Sequence, residues 1–368
     1  MTIGELTYTL EQHIPTALAW SNDNVGLQVG NPATSIKNIL LTLDVTIDVV
    51  SEAIQKKANL IIAHHPLLFQ PLRSLTPHTR VGKIAYELVQ NNIGLYAAHT
   101  NLDSVKWGVS GSLAEKLGLT DVRILSPLKD TLTKIVVFVP ESHVEKIAQA
   151  MHDAGGGMFT KYQECSFRTE GIGTFKGMNN ANPYIGKIGE LEKAPEIKLE
   201  MLVEHWKISS VLKAMKETHP YEEIAYDIYP LKNSNTEYGL GVIGTFSQKM
   251  KAKDFFSFLK KKLHLQHFRY TGDVNTYVKK IALCGGSGSE FVKDAIQQQA
   301  DVYITGDVKY HTFQEAEEKI LLIDVGHFET EHHILPTLAE KISQMVKSKK
   351  NTSKIFITRK TINPVHYY

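Results

Sequence analysis

The sequence predicts an α/β protein in two parts, with a smaller α+β domain inserted between them. Apolar, strand-like runs alternate with amphipathic helical patterns towards both ends of the chain, and this alternation produces sheets covered by helices. Polar stretches interrupt the alternation at 126–131 and at 232–236. At 368 residues, the chain also exceeds the roughly 100–200 residues of one ordinary domain. We therefore expect two α/β segments, 1–130 and 234–368, and an inserted domain at 131–233.

In the first segment, apolar runs predict three strands, and patterns with helical periodicity predict the helices that connect them. The predicted strands are Asn38–Asp44, Asn59–His64 and Ile93–His99. The predicted helices are Thr46–Lys57, Val81–Asn91 and Val105–Leu117. Strands and helices that alternate in this way are typical of a parallel sheet.

The inserted segment contains three predicted strands and two predicted helices, with a long glycine-rich stretch after the first helix. In chain order these elements are Lys134–Val139, Ser142–Asp153, Lys198–Glu204, Ser209–Thr218 and Ile224–Tyr229. If the glycine-rich stretch holds one more strand, the order is β-α-β-β-α-β, which is the ferredoxin-like arrangement. The last segment returns to α/β alternation, with predicted strands at Ile281–Cys284, Val302–Thr305 and Leu321–Val325.

Composition argues against several classes of protein. The net charge is +2 and runs of basic residues such as Lys260–Lys262 are short, so nucleic acid is not expected as the main partner. The two cysteines, Cys165 and Cys284, form no Cys-x-x-Cys pattern, which argues against a disulfide framework and a thiolate zinc site. The apolar runs are far shorter than the ~20 residues of a membrane-spanning helix, and the first residues do not resemble a signal peptide. We expect a cytoplasmic protein without a membrane partner.

Polar side chains follow four predicted strands at the point where each strand ends. They are His64 and His65, His99 and Asp103, Asp307 and His311, and His327 and Glu331. Because ligands bind beyond the carboxyl ends of strands in open α/β sheets, we expect these side chains to meet. Imidazole and carboxylate groups together suit divalent metals. The spacing of His327 and Glu331 also places both on one face of a helix.

Five of these residues are predicted to bind a pair of metal ions. They are His64, His65, Asp103, His327 and Glu331. The adjacent histidines can each serve a different ion where the chain turns at the end of their strand, and the two oxygens of Glu331 can bridge the ions. Zinc is our first expectation, and manganese and iron stay as alternatives because several metals accept a set of nitrogen and oxygen donors.

Three further residues beside the metal ligands are candidates for catalysis together with Glu331. His99, Asp307 and His311 could orient ligands or carry protons, and the alternative is that they are buried, hydrogen-bonded supports. The glycine-rich segment Cys284–Ser289 either cradles a phosphate with backbone amides or forms an ordinary turn between a strand and a helix. In the insertion, we interpret His219 and Tyr221 as packing residues.

Five segments closely resemble those of the Nif-three-like proteins, also called GTP cyclohydrolase I type 2 homologues. These segments are Asp23–Gly30, Ile61–Leu67, Ala97–Asp103, Ile304–His311 and Asp324–Glu331. The likeness extends over essentially the whole chain. It implies that His64, His65, Asp103, His327 and Glu331 hold two divalent cations, with the glutamate between them. The segments His219–Glu223 and Gly171–Phe175 resemble the PII/CutA-like insertion of the longer members. Those members form ring-like hexamers, so the resemblance implies a homohexamer.

The family name implies a metal-dependent hydrolase that opens the imidazole ring of GTP. Two adjacent divalent ions suit such a reaction because they lower the pKa of a bound water towards ~7 and polarise the group under attack. The expected partner is a small-molecule substrate, with a nucleotide as the first candidate. Two alternatives stay open: hydrolysis of a phosphoester or of another cyclic amidine, and a non-enzymatic, metal-binding, ring-forming adaptor.

Overall fold

The computed structural model describes residues 1–349, 351–360 and 363–366. It divides the chain into two compact units, one formed by the chain up to Pro127 and from Thr236 onward, and the other by Leu128–Asn235. Each unit has its own hydrophobic core. Within the described ranges, no helix is long and apolar enough to cross a membrane.

Helices and strands alternate along much of the chain. The first part of the larger unit contains α1 (Ile3–Glu11), β1 (Gly26–Val29), β2 (Asn38–Thr42), α2 (Ile47–Gln55), β3 (Leu60–Ala63), α3 (Arg80–Gln90), β4 (Gly94–Ala97), α4 (Thr100–Asp103), α5 (Val109–Leu117) and β5 (Thr120–Leu128). The smaller unit contains β6 (Leu132–Pro140), α6 (Val144–Asp153), β7 (Phe167–Lys176), β8 (Leu191–Glu204), α7 (Ile208–Thr218) and β9 (Tyr226–Leu231). The chain then continues with β10 (Asn235–Lys251), α8 (Ala252–Leu263), β11 (Arg269–Thr271), β12 (Tyr277–Ser287), α9 (Val292–Gln297), β13 (Val302–Gly306), α10 (Tyr310–Ala316), β14 (Leu321–Asp324), α11 (His327–Glu331), α12 (Ile334–Ser348) and β15 (Lys354–Ile357).

The first sheet of the larger unit has the spatial order β1-β4-β3-β2-β15. Strands β2, β3 and β4 run parallel, as their alternation with α2 and α3 predicts, and β1 pairs antiparallel at one edge. Threonines cap the N-termini of both connecting helices: the hydroxyls of Thr46 and Thr79 accept hydrogen bonds from free amides of the first turn. The central strand β3 is buried along its whole length, as expected when helices cover both faces of a parallel sheet.

The second sheet has the order β11-β14-β13-β12-β10-β5, and its three central strands β12, β13 and β14 are parallel. Helices cover both of its faces. Leu113 of α5 and Phe255 of α8 contribute to the core on one face, and Ala295 of α9 and Ala316 of α10 contribute to the core on the other.

The two parts of the larger unit exchange strands. Strand β5 comes from the first part and joins the second sheet, whereas β15 comes from the C-terminal part and pairs parallel with β2 of the first sheet. Neither strand was predicted: the end of β5, with Pro127, overlaps the polar stretch at 126–131, and β15 was not recognised as a strand. The exchange makes each sheet depend on both ends of the chain.

The smaller unit has the β-α-β-β-α-β order that the sequence predicted. The glycine-rich stretch contains β7, and the four strands form one antiparallel sheet in the order β7-β8-β6-β9. Helices α6 and α7 bury Ile147 and Met215 in the same core as Ile135 of β6 and Leu199 of β8. The ferredoxin-like fold of the inserted segment is therefore confirmed.

The end of β15 is anchored by a buried carboxylate on α2. Glu52 accepts hydrogen bonds from the hydroxyl of Thr358, at 2.5 Å, and from the backbone amide of Arg359, at 3.2 Å. Glu52 and Thr358 are both buried. This contact stabilises the edge strand that the C-terminal part supplies to the first sheet.

Replacing Glu52 by alanine is expected to lower the free energy of unfolding by about 1–3 kcal/mol, because Thr358 and Arg359 then lose their buried acceptor. Urea denaturation of the parent and the variant measures this difference. The control is Ser51→Ala, at the exposed neighbouring position on α2, which should change stability by less than about 0.5 kcal/mol. Equal stability of Glu52→Ala and the parent would show that the contact does not stabilise the strand.

Candidate metal centre

The carboxyl ends of strands from the two sheets meet in the larger unit. His64 and His65 directly follow β3, and Asp103 ends the short helix α4 that follows β4. His327 and Glu331 are the first and last residues of α11, which follows β14. All five residues predicted to bind metal therefore lie at strand ends or one helical turn beyond them.

The carboxylate of Glu331 lies at the centre of this cluster and is buried. Its Oε1 is 2.9 Å from Nε2 of His327 and 3.6 Å from Nε2 of His64, and its Oε2 is 3.1 Å from Nε2 of His65. Asp103 joins the cluster through Oδ1, which lies 3.7 Å from Nε2 of His64. The structure thus brings together the five residues in question, from both ends of the chain.

Each imidazole of the cluster is held through its Nδ1 atom by an oxygen that only accepts hydrogen bonds. The pairs are His64 with the Ala98 carbonyl at 2.7 Å, His65 with Asp44 at 3.0 Å, His99 with Asp23 at 2.9 Å and His327 with Asp307 at 2.7 Å. Because Nδ1 must donate in these bonds, the Nε2 atom of the neutral ring keeps its lone pair. Carboxylates and carbonyls orient metal-binding histidines in the same way.

His64 provides the most direct test of whether the cluster fits a metal ion. Its side chain is 1% exposed, and its Nε2 has no hydrogen-bond partner among the described residues. The nearest carboxylate oxygens, at 3.6 and 3.7 Å, are beyond hydrogen-bond distance. They are close to the ~3.4 Å that separates two ligand atoms on a tetrahedral ion with bonds of ~2.1 Å. A divalent cation would satisfy a buried polar atom that is otherwise left unpaired.

The protonation of the cluster without an ion follows from its close carboxylates. Burial disfavours a charged imidazole at His65, but hydrogen bonds with Asp44 and Glu331 outweigh it and raise the pKa to about 10. The hydrogen bond with Glu331 likewise raises the pKa of His327 to about 9. Burial alone would raise the pKa of Glu331, but the nearby imidazoles hold it well below its usual range. Metal binding at neutral pH must therefore displace protons.

The three additional catalytic candidates lie in different surroundings. The ring of His99 is 5.3 Å from that of His64 and 5.5 Å from that of His65, and these three residues can present nitrogens within 4.8 Å of one another. Asp307 is exposed and holds His327. His311 is also exposed, its ring contacts Tyr310, and none of the described contacts joins it to the cluster. Since α10 begins at Tyr310, its first turn presents His311 to solvent.

Two carboxylates that orient the histidines were not predicted. Asp44 stands at the end of a predicted strand, so the criterion that identified the ligands would also have found it. Asp23 lies in a loop far from His99 in sequence, and no pattern links the two residues. Its carboxylate also accepts hydrogen bonds from the amide and hydroxyl of Thr100. Burial opposes ionisation of Asp23, but the hydrogen bonds from His99 and Thr100 hold its pKa well below its usual range.

The glycine-rich segment after Cys284 gives Glu331 room. Gly286 has a φ of +64°, and a Cβ atom there would lie 2.4 Å from Oε1 of Glu331. The amides of Gly285, Gly286 and Gly288 donate to side-chain hydroxyls of neighbouring elements. These amides are engaged within the fold, which argues against the phosphate cradle; the segment forms the end of β12 and the turn that leads to α9.

A cavity of about 690 Å³ adjoins the cluster. His65, His327 and Glu331 form part of its wall, and the remaining wall comes from both sheets and from Asn363–Val365. A cavity of this size can hold a small organic molecule beside the cluster.

Comparison with known proteins gives consistent matches over the whole chain. The family model Duf34/NIF3 (NGG1p interacting factor 3) matches residues 1–364. The Bacillus subtilis (strain 168) protein named GTP cyclohydrolase 1 type 2 homolog is 39% identical, over 98% of this chain and 97% of that protein. A Halalkalibacterium halodurans protein of the same name is 38% identical, over 94% and 93% of the two chains.

Two solved structures share both the fold and substantial sequence identity. The Bacillus cereus protein related to NIF3 matches with a TM-score of 0.87 at 36% identity, covering 100% of this chain and 99% of that one. A Staphylococcus aureus protein matches with a TM-score of 0.81 at 31% identity, with the same coverage. The fold predicted from the sequence is therefore shared with solved relatives along its full length.

The free energy of unfolding of the chelator-treated protein is expected to fall as the pH rises from about 6.5 to about 10. In the folded chain, His65 and His327 release their protons near pH 10 and pH 9. The unfolded imidazoles release theirs near pH ~6.5, so in this range the folded chain binds more protons and loses stability as they leave. Urea denaturation at a series of pH values measures the slope. His65→Gln should reduce it, and stability that is level or rises in this range would contradict the expectation.

Proposed function

Because the chain belongs to the Duf34/NIF3 family, as its sequence motifs predicted, we propose that it is a metal-dependent hydrolase with two divalent cations in each subunit. The residues proposed to hold these ions are His64, His65, Asp103, His327 and Glu331. Zinc is the first candidate, and manganese and iron are the alternatives. The homohexamer and the cytoplasmic location stay proposals that rest on the sequence.

The observation that carries this proposal is the buried Nε2 atom of His64. It has no hydrogen-bond partner among the described residues, although two carboxylate oxygens lie within 3.7 Å. A purely structural histidine at 1% exposure would be expected to bond one of them directly. The spacing instead fits two ligands that share an ion.

The arrangement of donors supports two ions. Two groups of potential ligands overlap at His65: the first adds His64 and His99, and the second adds His327 and Glu331. We assign His64 and Asp103 to one ion and His65 and His327 to the other, with Glu331 between them. Glu331 could serve both ions because its Oε1 lies near His64 of the first group and His327 of the second, and its Oε2 lies near His65 of the second.

The ions would supply an activated water and polarise the atom that it attacks. The chain's own residues prepare the centre for this chemistry. Asp44 and Asp307 fix the Nδ1 protons of His65 and His327, so that both rings direct Nε2 into the cluster. Asp307 is exposed on the cavity wall and His99 is held by Asp23, so these two groups are the candidates to accept or return a proton.

The proposed reaction is hydrolytic opening of a cyclic amidine. The relatives are named GTP cyclohydrolase 1 type 2 homolog, which makes the guanine imidazole ring of GTP the first compound to test. Turnover of a phosphoester would instead support the phosphoester hydrolase. Metal binding without any turnover would support the non-enzymatic adaptor.

Metal analysis of the purified chain after zinc loading is expected to give about two ions per chain. Replacing His64 by alanine or Glu331 by glutamine should remove at least one ion, because each loses a buried donor. His13→Ala, which removes an exposed histidine in the turn after α1, is the control and should keep both ions. A single ion in the parent protein would contradict the dinuclear centre.

Incubation of GTP with the zinc-, manganese- or iron-loaded protein is expected to yield a ring-opened or formylated product, detected by mass spectrometry. Glu331→Gln should lower the rate by at least about 100-fold, since the central carboxylate is lost. His13→Ala should retain the parent rate. No turnover with any of these ions, or with magnesium, would reject the cyclohydrolase proposal. Turnover that survives Glu331→Gln would reject the role of the ion pair.

A further inference from the structure

The cavity beside the metal centre carries more acidic than basic groups. Outside the ligand Glu331, the carboxylates that line it belong to Asp44, Asp307, Asp324 and Glu329. Among its described lining residues, Arg269 is the one lysine or arginine.

The charge of Arg269 is already compensated. Its guanidinium donates to the buried carboxylate of Asp324 and, at 3.0 Å, to the carbonyl of Val308. The same group lies over the ring of Phe313, 5.4 Å from the centroid. A phosphate that approached Arg269 would have to compete with a carboxylate that is 5% exposed and bonded in place.

Two divalent ions would not reverse the excess of negative charge at the cavity. Their four positive charges and the charge of Arg269 would face six carboxylates: the four that line the cavity, Glu331 and Asp103. The ligands His65 and His327 add no charge, because histidines bind metal in the neutral form. A polyphosphate, which carries several negative charges, would therefore meet repulsion in this cavity.

The acidic groups are placed to accept hydrogen bonds. Glu329 is held over the turn that follows β14, where its Oε1 accepts from the side-chain amide of Asn363 at 2.8 Å. A Cβ atom at Gly326, which has a φ of +101°, would lie 2.2 Å from Oε2 of Glu329, so only glycine allows this position. An ionised carboxylate has no proton to donate, so it pairs with N–H groups of a ligand and not with phosphate oxygens.

The apolar part of the same cavity suits a flat ring. Phe268 and Phe328 both line it, together with Leu43 and Val365. The ring of Phe328 is supported from behind by His332, with centroids 5.0 Å apart and planes inclined by 11°. Aromatic walls bind planar heterocycles by stacking, and they favour cationic rings further.

We propose that this cavity selects an uncharged or cationic planar heterocycle with N–H donors, such as a nucleobase or nucleoside, and binds the polyphosphate form less tightly. The inference rests on the proposed function, since it names the substrate class of that site. Among guanine compounds, guanosine should then bind more tightly than GTP, because the cavity repels the triphosphate.

Isothermal titration of the zinc-loaded full chain tests this with guanosine, magnesium-GTP, benzamidine and inorganic tripolyphosphate, with zinc content measured after each titration. Guanosine should bind at least about tenfold tighter than GTP. Tripolyphosphate should not displace it. The advantage of guanosine should shrink as salt rises from about 0.05 to about 0.5 M, because salt screens the repulsion.

Glu329→Gln should reduce the preference for guanosine over GTP at least threefold. The matched control is Glu318→Gln, which neutralises an exposed carboxylate outside the cavity lining and should leave the preference unchanged. Tighter or equal binding of GTP would overturn the inference, and so would the absence of binding by both guanosine and benzamidine.

Turnover separates this inference from the hydrolase proposal. If guanosine binds as expected but is not opened, the substrate class stands and the hydrolase proposal fails. If GTP is opened with a higher kcat/KM than guanosine, the hydrolase proposal stands and the inference fails.

Discussion

The contacts of Glu331 are the constraint on which the larger unit is organised. A carboxylate that is almost fully buried is costly unless it is paired, and three imidazoles from both sheets lie within 3.6 Å of it. Accommodating it requires glycine at 286, and the neighbouring Thr330 donates its hydroxyl back into α11 and accepts from Gly286. The contacts of Glu331 therefore join several segments into one structural unit: α11, the glycine-rich segment and the ends of β3 and β14.

The exchange of β5 and β15 explains how strand ends from distant parts of the chain are held together. Each sheet contains a strand from the other part, so separating the two parts would disrupt both sheets at once. A site whose ligands come from both sheets needs this rigidity, because metal ligands must be held within a few tenths of an ångström. The inserted unit completes its own core with its own helices and contributes none of the proposed ligands.

The carboxylates that hold the histidine rings also influence the chemistry of the cluster. Asp23, Asp44 and Asp307 each accept from an Nδ1 atom, which selects the ring form that binds a metal through Nε2. In the absence of metal, Asp44 and Asp307 help to raise the pKa of His65 and His327, so protons and cations compete for these two rings. The acidic cavity extends this character to the substrate, since it favours ligands that bring N–H groups or positive charge.

The sequence alone determined the α/β class, the ferredoxin-like order of the insertion and the residues of the candidate site, because these depend on periodicity and on which residues follow each strand. His64, His65, Asp103, His327 and Glu331 could be selected because the carboxyl ends of parallel strands share one edge of a sheet. The exchange of β5 and β15, the support of His99 by Asp23 and the outward position of His311 were decided by the tertiary structure. These features depend on which distant segments pack together and on where a helix begins, and no local pattern records either. The excess of carboxylates in the cavity was also decided by the tertiary structure, since these carboxylates become neighbours only when both sheets have formed.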